Sequence, residues 1–283
     1  MRPTYQDFAK IVNLTPYSRP QLLSAQEKDG ACDALLKFLL KERGMIAAFS
    51  ASYEKKRTFI RRYMNERLPL PIPDEILKIQ DALFWTESVE RKIEDVASFS
   101  YSEHGMAHYR GDICKLNSDA IVNAANSALL GCFRAGHQCI DNIIHSYAGM
   151  QLRDDCAKIV AVQGEAQAGD TILTRAYNLP SKYVLHTVGP IVLHGTTEVD
   201  RAALRSCYLS CLNLCEQAGL STVAFCCIAT GVFNYPHDEA AEIATGTVFN
   251  WKLRHPESKL KVIFNTYLEE DARIYSDILK MME

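Results

Sequence analysis

Apolar positions in the first third of the chain recur at the spacing of α-helices. The leucines and the phenylalanine of "AQEKDGACDALLKFLLKER" (25–43) follow this pattern, and so do segments 57–68 and 74–85. The intervening "LPLPIP" (68–73) is predicted to be extended, because each proline fixes its own φ and restricts the residue before it. We therefore predict a helical N-terminal extension over residues 1–100.

From about residue 105 the pattern alternates between short apolar runs and longer amphipathic segments. Alternation of this kind predicts an α/β layered domain with a mainly parallel sheet, here over residues 101–283. The predicted strands are 119–126, 170–174, 182–188, 222–229 and 260–267. The predicted helices are 140–159, 200–219, 238–254 and the last dozen residues.

Composition narrows the class of protein. Apolar residues make up 48% of the 283 positions and charged residues 23%, which is typical of a soluble globular protein. The formal charge of −3 lacks the basic excess of a nucleic-acid-binding protein. Because no apolar run approaches the ~20 residues of a membrane helix, and residues 1–12 lack a secretory signal, we expect a cytoplasmic protein with no membrane or nucleic-acid partner.

The chain has ten cysteines, which in this setting we interpret as thiols or metal ligands and not as a disulfide framework. Cys207, Cys211 and Cys215 recur every four residues, so we expect them to be buried on one face of a helix. Cys226 and Cys227 lie in the predicted strand 222–229 and should point to opposite faces of the sheet.

Two strand ends carry unusual loops. The strands 119–126 and 222–229 each run into a polar or glycine-bearing loop and then a helix. Ligands of open α/β sheets bind outside the carboxyl ends of the strands, and helix N-termini favour anions such as phosphate. Neither loop matches the P-loop or the G-x-G-x-x-G fingerprint, so these loops alone give weak support for phosphate binding.

The first of these loops, "GCFRAGHQCID" (131–141), holds Cys132, His137 and Cys139. Thiolate and imidazole are ligands that Zn²⁺ prefers, and three protein ligands with a vacant fourth position are typical of a catalytic zinc. His145 is six residues beyond Cys139 and should face away from the loop. A redox pair of the two cysteines, or thiols that are neighbours by chance, remain alternatives on spacing alone.

Four ordered segments together resemble a macrodomain: "GDICKLNSDAIVNAANSALLGCF", "CIDNIIHSYAGMQLRDDC", "YNLPSKYVLHTVGPI" and "AFCCIATGVFNYPHDEAAEIA". With its Cys–His–Cys loop and long extension, the chain is similar in particular to the zinc-dependent macrodomains, which are microbial ADP-ribosyl hydrolases. The resemblance covers 105–283 and extends more loosely over 61–81. It implies a three-layer α/β/α domain with a mixed, mainly parallel sheet.

The resemblance also implies roles for single residues. Asp112 would accept a hydrogen bond from the adenine amine, and Ile113 would form part of the pocket wall. Asn126 would orient the distal ribose, with Asn123 supporting the loop. Asp141 would lie near the bond that is cut and take part in catalysis. From the residues alone, Asp112 and Asn126 are equally good turn caps, and Asp141 suits the first turn of a helix.

A further segment would bind the diphosphate. By resemblance its backbone N–H groups face the phosphates, and Phe233 packs on the distal ribose, although core packing is an alternative role for that ring. Tyr267 is a weaker candidate for the adenine. The residues of this predicted phosphate loop are Thr230, Gly231, Val232, Phe233 and Asn234.

The chain departs from the family pattern at two places. Ala229 stands where the family usually has serine, which removes one hydroxyl from the phosphate loop. The metal loop usually has a proline near Ala135, so "RAG" makes it less rigid and adds the positive charge of Arg134.

The function implied by the resemblance is removal of mono-ADP-ribose from protein side chains, with release of ADP-ribose and one Zn²⁺ per chain as the cofactor. The metal ligands would be Cys132, His137 and Cys139. A sirtuin-type ADP-ribosyltransferase and a lipoylated carrier protein are implied as partners. The alternatives are a non-catalytic ADP-ribose-binding module with a structural zinc, and a redox switch of Cys132 and Cys139.

Overall fold

A computed structural model describes residues 3–45 and 51–282; residues 1–2, 46–50 and 283 of the two predicted domains lie outside this range. The strands are β1 (Met106–Arg110), β2 (Ala120–Ala125), β3 (Thr171–Arg175), β4 (Tyr183–Val188), β5 (Thr222–Phe225) and β6 (Lys261–Thr266). The helices are α1 (Tyr5–Ile11), α2 (Ala25–Glu42), α3 (Tyr53–Glu66), α4 (Asp74–Glu90), α5 (Ile140–Ala148), α6 (Met150–Gln163), α7 (Glu198–Gln217), α8 (His237–Arg254) and α9 (Glu269–Met281).

The strands form one sheet in the order β1-β6-β5-β2-β4-β3, parallel except for β3, which pairs antiparallel with β4. This confirms the predicted mixed, mainly parallel sheet. Strand β2 pairs with β4 along its whole length but with β5 only at Ala120 and Ile121. The chain leaves β2 toward β4 and leaves β5 toward β6, so β2 and β5 flank the topological switch point, where open α/β sheets bind ligands.

Helices cover both faces of the sheet, which confirms the three-layer arrangement. Helices α5 and α6 lie on one face, while α7, α8 and α9 pack side by side on the other. Strands β2, β4 and β6 are almost fully buried between these layers, as expected for parallel strands. Cys207, Cys211 and Cys215 are fully buried on α7, as predicted.

The first four helices do not share one apolar core. Helices α2, α3 and α4 share a separate apolar core built around Leu35, Leu39, Ile60 and Leu83, and α3 and α4 contact α5. Helix α1 instead contributes Phe8 to the main core. The helical character of the extension is thus confirmed, and the boundary near residue 100 remains a prediction. No helix within residues 3–45 and 51–282 combines the length and the apolar character required to span a membrane.

The predicted continuous helix 140–159 is wrong: the structure divides it into α5 and α6 at Gly149, whose φ is +110°. A side chain at this position would be strained, and its Cβ would lie 2.6 Å from Nε2 of Gln80 on α4. The amphipathic pattern continues through the break because both helices bury apolar side chains against the same core.

The predicted strand 222–229 is also too long. Strand β5 ends at Phe225, so Cys226 and Cys227 lie beyond the sheet at the start of the loop, and alternation across a strand does not describe them. The sequence prediction also did not identify α1 or β1 as separate elements. Both are short, at seven and five residues, and give little periodic signal.

Candidate active site

Predicted site residues follow four parallel strands and therefore gather at one edge of the sheet. Asp112 follows β1, Tyr267 follows β6, the loop 226–236 follows β5 and the loop 126–139 follows β2. Since neighbouring strands are about 4.8 Å apart, the β1 and β2 ends are separated by roughly 14 Å. Along this edge the predicted adenine, diphosphate and distal-ribose residues stand in the order in which ADP-ribose carries those groups.

The metal loop, residues 131–139, brings its three predicted ligands together. The ligand atoms of Cys132, His137 and Cys139 all lie within 4.8 Å of one another. Sγ of Cys132 and Nδ1 of His137 are 3.4 Å apart. A tetrahedral zinc, with Zn–S of about 2.3 Å and Zn–N of about 2.0 Å, places a sulfur and a nitrogen ligand roughly 3.5 Å apart, so the donor set and its spacing fit this ion.

Helix α5 begins at the metal loop and holds it. Cys139 is the N-cap residue, and its Sγ accepts a hydrogen bond from N–H of Asn142 at 3.4 Å. The Asn142 side-chain amide donates to the carbonyl oxygens of Cys132 at 3.2 Å and Arg134 at 3.0 Å. Burial raises the pKa of the Cys139 thiol to about 11, and the nearby Cys132 adds to this. A bound divalent cation favours the thiolate and opposes that shift.

Asn126 lies at the end of β2 against the same loop. Its side-chain amide donates to the carbonyl oxygen of Gly131 at 3.2 Å, while its buried Oδ1 has no hydrogen-bond partner among the described residues. A buried amide oxygen without a partner carries a free-energy cost that a ligand hydroxyl would relieve. This geometry supports the predicted contact between Asn126 and a ribose.

Asp141 is buried in the first turn of α5, directly behind the metal loop. Its carboxylate accepts a hydrogen bond from Nδ2 of Asn123 at 2.7 Å. Burial raises the pKa of Asp141 to about 6, although the Asn123 hydrogen bond and the positive charge of Arg153 lower it. Asn123 therefore acts on Asp141 and not on the loop backbone.

A second cluster lies deeper. Ligand atoms of His145, Cys156 and His186 lie within 4.8 Å of one another in the core, and spacing along the sequence gave no sign of it. His145 belongs to this cluster and packs against Gly131, while its Nε2 lies 3.6 Å from the Asp141 carboxylate. Burial lowers the pKa of His145 well below its ordinary range and lowers that of His186 to about 3, so both are neutral.

The phosphate loop, residues 229–234, is shaped by its own backbone. Asn234 N–H donates to the Gly231 carbonyl at 3.0 Å, and Tyr235 N–H donates to the Ala229 carbonyl at 3.0 Å. Ala229 and Asn234 both have positive φ. Within residues 3–45 and 51–282, no hydrogen-bond acceptor receives the backbone N–H groups of 230–233. Successive unpaired N–H groups in such a turn form a concave anion site.

Phe233 is half-buried against the main core, and its carbonyl accepts from Val192 N–H at 2.9 Å. Val232 is exposed, and the Thr230 hydroxyl donates to the Cys227 carbonyl at 3.2 Å. The five predicted residues of the loop thus lie together, with backbone donors exposed and one side chain packed inward.

At the β1 end, Asp112 has two partners. Its Oδ1 accepts from Cys114 N–H at 2.9 Å, which caps a short 3₁₀ turn, and its Oδ2 pairs with Arg91 at 3.3 Å. Ile113 is buried, so its side chain packs in the core. Tyr267 is mostly exposed. The turn-capping role of Asp112 is therefore present in the structure, and one carboxylate can still accept from a ligand amine because each oxygen has further lone pairs.

Comparison with known proteins decides the family. The family described as "Macro domain" matches residues 122–244. The chain is 43% identical to a protein of Staphylococcus aureus (strain MSSA476) named "Protein-ADP-ribose hydrolase", over 82% of this chain and 88% of that protein. The chain belongs to the macrodomain family.

Solved macrodomain structures share the fold. The Oceanobacillus iheyensis macrodomain with ADP is 34% identical with a TM-score of 0.56, and the match covers 62% of this chain and 90% of that one. The Trypanosoma brucei macrodomain in complex with ADP-ribose is 26% identical with a TM-score of 0.58, and covers 98% and 97% of the two chains. The T. brucei macrodomain thus has a counterpart to nearly all of this chain, whereas the O. iheyensis macrodomain has no counterpart to more than a third of it.

Several residues that organise this macrodomain site were not predicted. Asn142 binds the metal loop, Arg153 lowers the pKa of Asp141 through its charge, and His186 contacts the Asn123 amide that also binds Asp141. Arg61 and Asn65 reach the loop from α3. The α3 residues are more than 60 positions from the loop in sequence, so no local spacing could have indicated them. Asn142 stands three residues after Cys139, where a helix-capping analysis could have found its N–H.

Proposed function

We propose that this macrodomain is a protein-ADP-ribose hydrolase that uses zinc to remove mono-ADP-ribose from protein side chains. The name of the S. aureus relative supports the activity, at 43% identity across most of both chains. The observation that carries the zinc dependence is the grouping of Cys132, His137 and Cys139 at the β2 end of the ligand edge.

ADP-ribose would lie along the carboxyl ends of β1, β6, β5 and β2. Asp112 would accept from the adenine amine, the backbone N–H groups of 230–233 would bind the diphosphate, and Phe233 would contact the distal ribose. Asn126 would use its unpaired Oδ1 to orient that ribose next to the metal loop. In this proposed arrangement, C1 of the distal ribose would lie at the end of the site next to Cys132, His137 and Cys139.

Hydrolysis breaks the bond between C1 of the distal ribose and the modified side chain, with the oxygen of water going to C1 and a proton to the leaving group. Cys132, His137 and Cys139 would hold the zinc, which would supply a nucleophile at neutral pH, because zinc lowers the pKa of water to about 7. Asp141, which is buried at the start of α5 next to the metal loop, would assist proton movement. Asn123 holds this carboxyl in place through its 2.7 Å hydrogen bond.

We propose a carboxylate-linked mono-ADP-ribosyl protein as the substrate. The ADP-ribosyltransferase and the lipoylated carrier protein implied by the sequence resemblance remain predictions about its partners. The resemblance alone supports them.

The test measures zinc content and label release together. The purified protein is analysed for metal and then incubated with a protein carrying labelled mono-ADP-ribose, beside Cys132→Ala and Asp141→Ala. We expect one zinc per chain and release of ADP-ribose by the wild type, lost in Cys132→Ala. One zinc with ADP-ribose binding but no release would instead identify a binding module, and reversible disulfide formation without zinc would identify a redox switch.

A further inference from the structure

We infer that helix α3 of the N-terminal extension is part of the metal site: Arg61 and Asn65 are positioning residues that hold the metal loop in its ligand-binding conformation. This inference rests on the proposed zinc site. The inference goes beyond that site because it assigns to the N-terminal extension a role in metal affinity.

Arg61 contacts the loop directly. Its guanidinium donates to the carbonyl oxygen of His137 at 2.7 Å and to Oδ1 of Asn142 at 3.0 Å. The first bond fixes the backbone of a metal ligand, and the second fixes the side chain that binds the carbonyls of Cys132 and Arg134. One cationic side chain from α3 thus acts on both halves of the loop. Hydrogen bonds from charged donors are stronger than those between neutral groups.

Asn65 lies one helical turn farther along α3, on the same face, and is buried. Its Oδ1 accepts from Gly136 N–H at 2.9 Å, and its Nδ2 donates to the Ser146 hydroxyl at 3.0 Å. Ser146 in turn donates to the Asn142 carbonyl at 2.6 Å. Both hydrogen bonds of the Asn65 amide are therefore made to the metal loop or to α5, the helix that begins at it.

Each of the three ligand residues is consequently held by this network. The Cys132 carbonyl accepts from Asn142, the His137 carbonyl accepts from Arg61, and Cys139 Sγ accepts from Asn142 N–H. Asn142 is fully buried and uses its N–H, its Oδ1 and its Nδ2 in these contacts. Without Arg61, the Oδ1 of Asn142 keeps only the longer 3.3 Å contact from Ser146.

The loop needs such support because it has no regular hydrogen-bond ladder of its own. Residues 131–139 contain no helix or strand, and Gly131 and Gly136 both adopt positive φ, a conformation that glycine enters at little cost and leaves as easily. The O. iheyensis macrodomain, which matches only 62% of this chain, shows that the fold itself does not require a counterpart to the whole chain. The polar contacts of Arg61 and Asn65 are made to the metal loop and to α5, and not to the sheet.

Groups that orient metal ligands typically change metal affinity by about 10- to 100-fold when they are removed. We expect Arg61→Ala to weaken zinc binding by this amount, and Arg61→Lys to lose less, because one ammonium group can keep one of the two bonds. Asn65→Ala should weaken zinc binding similarly. Affinity is measured by competition with a chromogenic chelator, and ligand geometry by the visible absorption of bound Co²⁺.

Arg62→Ala is the matched control. It removes the same charge and the same number of atoms from the next position of α3, where the arginine is exposed. The Arg62 side chain lies beside Gly136 through its Cγ and forms no hydrogen bond within the described residues. Zinc affinity should stay within about twofold of the wild type. The melting temperature of the metal-free variants is compared as well, since a general loss of folding would lower it.

The inference is supported if Arg61→Ala loses zinc affinity and alters the Co²⁺ spectrum while its metal-free melting temperature and its ADP-ribose affinity match those of Arg62→Ala. Equal zinc affinity in Arg61→Ala, Asn65→Ala and the wild type would overturn it and leave the proposed zinc enzyme intact. A wild type that binds no zinc would overturn both.

Discussion

The two loops at the ligand edge reach defined shapes by different means. The phosphate loop at β5 closes on itself through the backbone bonds from Asn234 to Gly231 and from Tyr235 to Ala229. Within the described residues, no acceptor receives the backbone N–H groups of 230–233. The metal loop at β2 is held by side chains from outside it, namely those of Asn142 on α5 and of Arg61 and Asn65 on α3.

This difference is consistent with what each loop is proposed to bind. A diphosphate is large and diffuse in charge, so several backbone donors suffice and no side chain needs a defined position. A metal requires three side-chain atoms at fixed mutual distances, which a short glycine-containing loop does not maintain alone. We therefore expect substitutions in the metal loop to reduce the rate of ADP-ribose release. Substitutions in the phosphate loop should instead reduce the affinity for ADP-ribose.

The largest expected effect is that of His137→Ala. Loss of a metal ligand should reduce ADP-ribose release at least about 100-fold, beyond the range for residues that only orient ligands. Affinity for free ADP-ribose should change less than about threefold, because the phosphate loop is untouched. Single-turnover release and calorimetric binding separate the two quantities.

The exposed neighbour Gln138→Ala serves as the control for His137→Ala, since it changes the same loop without removing a ligand. Release near the wild-type rate is expected for it. Equal losses of binding and release in His137→Ala would mean that the metal loop serves binding alone.

In the phosphate loop, Val232→Pro removes one of the free N–H groups. Val232 is the second residue of the turn closed by Asn234 and Gly231, a position where proline is favoured, so the turn should persist. A hydrogen bond to a charged group contributes about 1.5–3 kcal/mol, so ADP-ribose affinity should fall about 10-fold or more.

Val232→Ala keeps the N–H and removes a similar part of the side chain, which makes it the matched variant. It should bind ADP-ribose like the wild type. If both variants bind equally well, the N–H of Val232 does not contact the diphosphate.

Residues within each loop could be predicted from the sequence, but the side chains that hold the metal loop from outside could not. The phosphate loop was proposed from the resemblance to macrodomains, because its residues alone give weak support for phosphate binding. Cys132, His137 and Cys139 could be proposed as metal ligands because they lie within eight positions. Arg61 and Asn65 were not predictable, because only the packing of α3 on α5 brings them to the loop.

Secondary structure was missed where tertiary contacts override local periodicity. The pattern of Ile140, Ile143, Tyr147 and Leu152 continues through Gly149, so the sequence predicts one helix. Gly149, with its φ of +110°, ends α5 there instead, and Gln80 of the distant helix α4 accepts a hydrogen bond from the next N–H, that of Met150, at 2.9 Å. The buried cluster around His145 was missed for the same reason, as β4 and α6 supply its other members.

A third prediction concerns how the stability of the protein depends on pH through the buried groups behind the metal loop. His145 and His186 are held neutral by burial, with the pKa of His186 lowered to about 3. In the unfolded chain both take up protons below about pH 6.5, so the stability that they contribute is present above that pH and is lost as the pH falls. The raised pKa of Asp141 acts in the opposite direction below about pH 6 and offsets roughly half of this loss.

The net free energy of unfolding should therefore fall by on the order of 1 kcal/mol per pH unit between about pH 6 and pH 5 from these three groups. Denaturant unfolding of the metal-free protein measures it, with His186→Gln as the comparison, in which the slope should nearly vanish. An unchanged slope in that variant would show that His186 is not the group responsible.

The smallest effect is expected at Ala229, where the family usually has serine. Ala229→Ser adds a hydroxyl at the phosphate loop and should strengthen ADP-ribose binding by a few-fold, since one added neutral hydrogen bond contributes about 0.5–1.5 kcal/mol. Ala229→Val is the control without a donor. Its positive φ disfavours the branched side chain, so binding should weaken.

Metal removal tests the central claim most directly. The wild type is stripped with a chelator, and release of ADP-ribose from a mono-ADP-ribosylated protein is followed before and after titration with zinc. We predict that the stripped protein still binds ADP-ribose but releases none from the substrate, and that one equivalent of zinc restores release. Full release by the stripped protein would contradict the assignment of Cys132, His137 and Cys139 as a catalytic metal site.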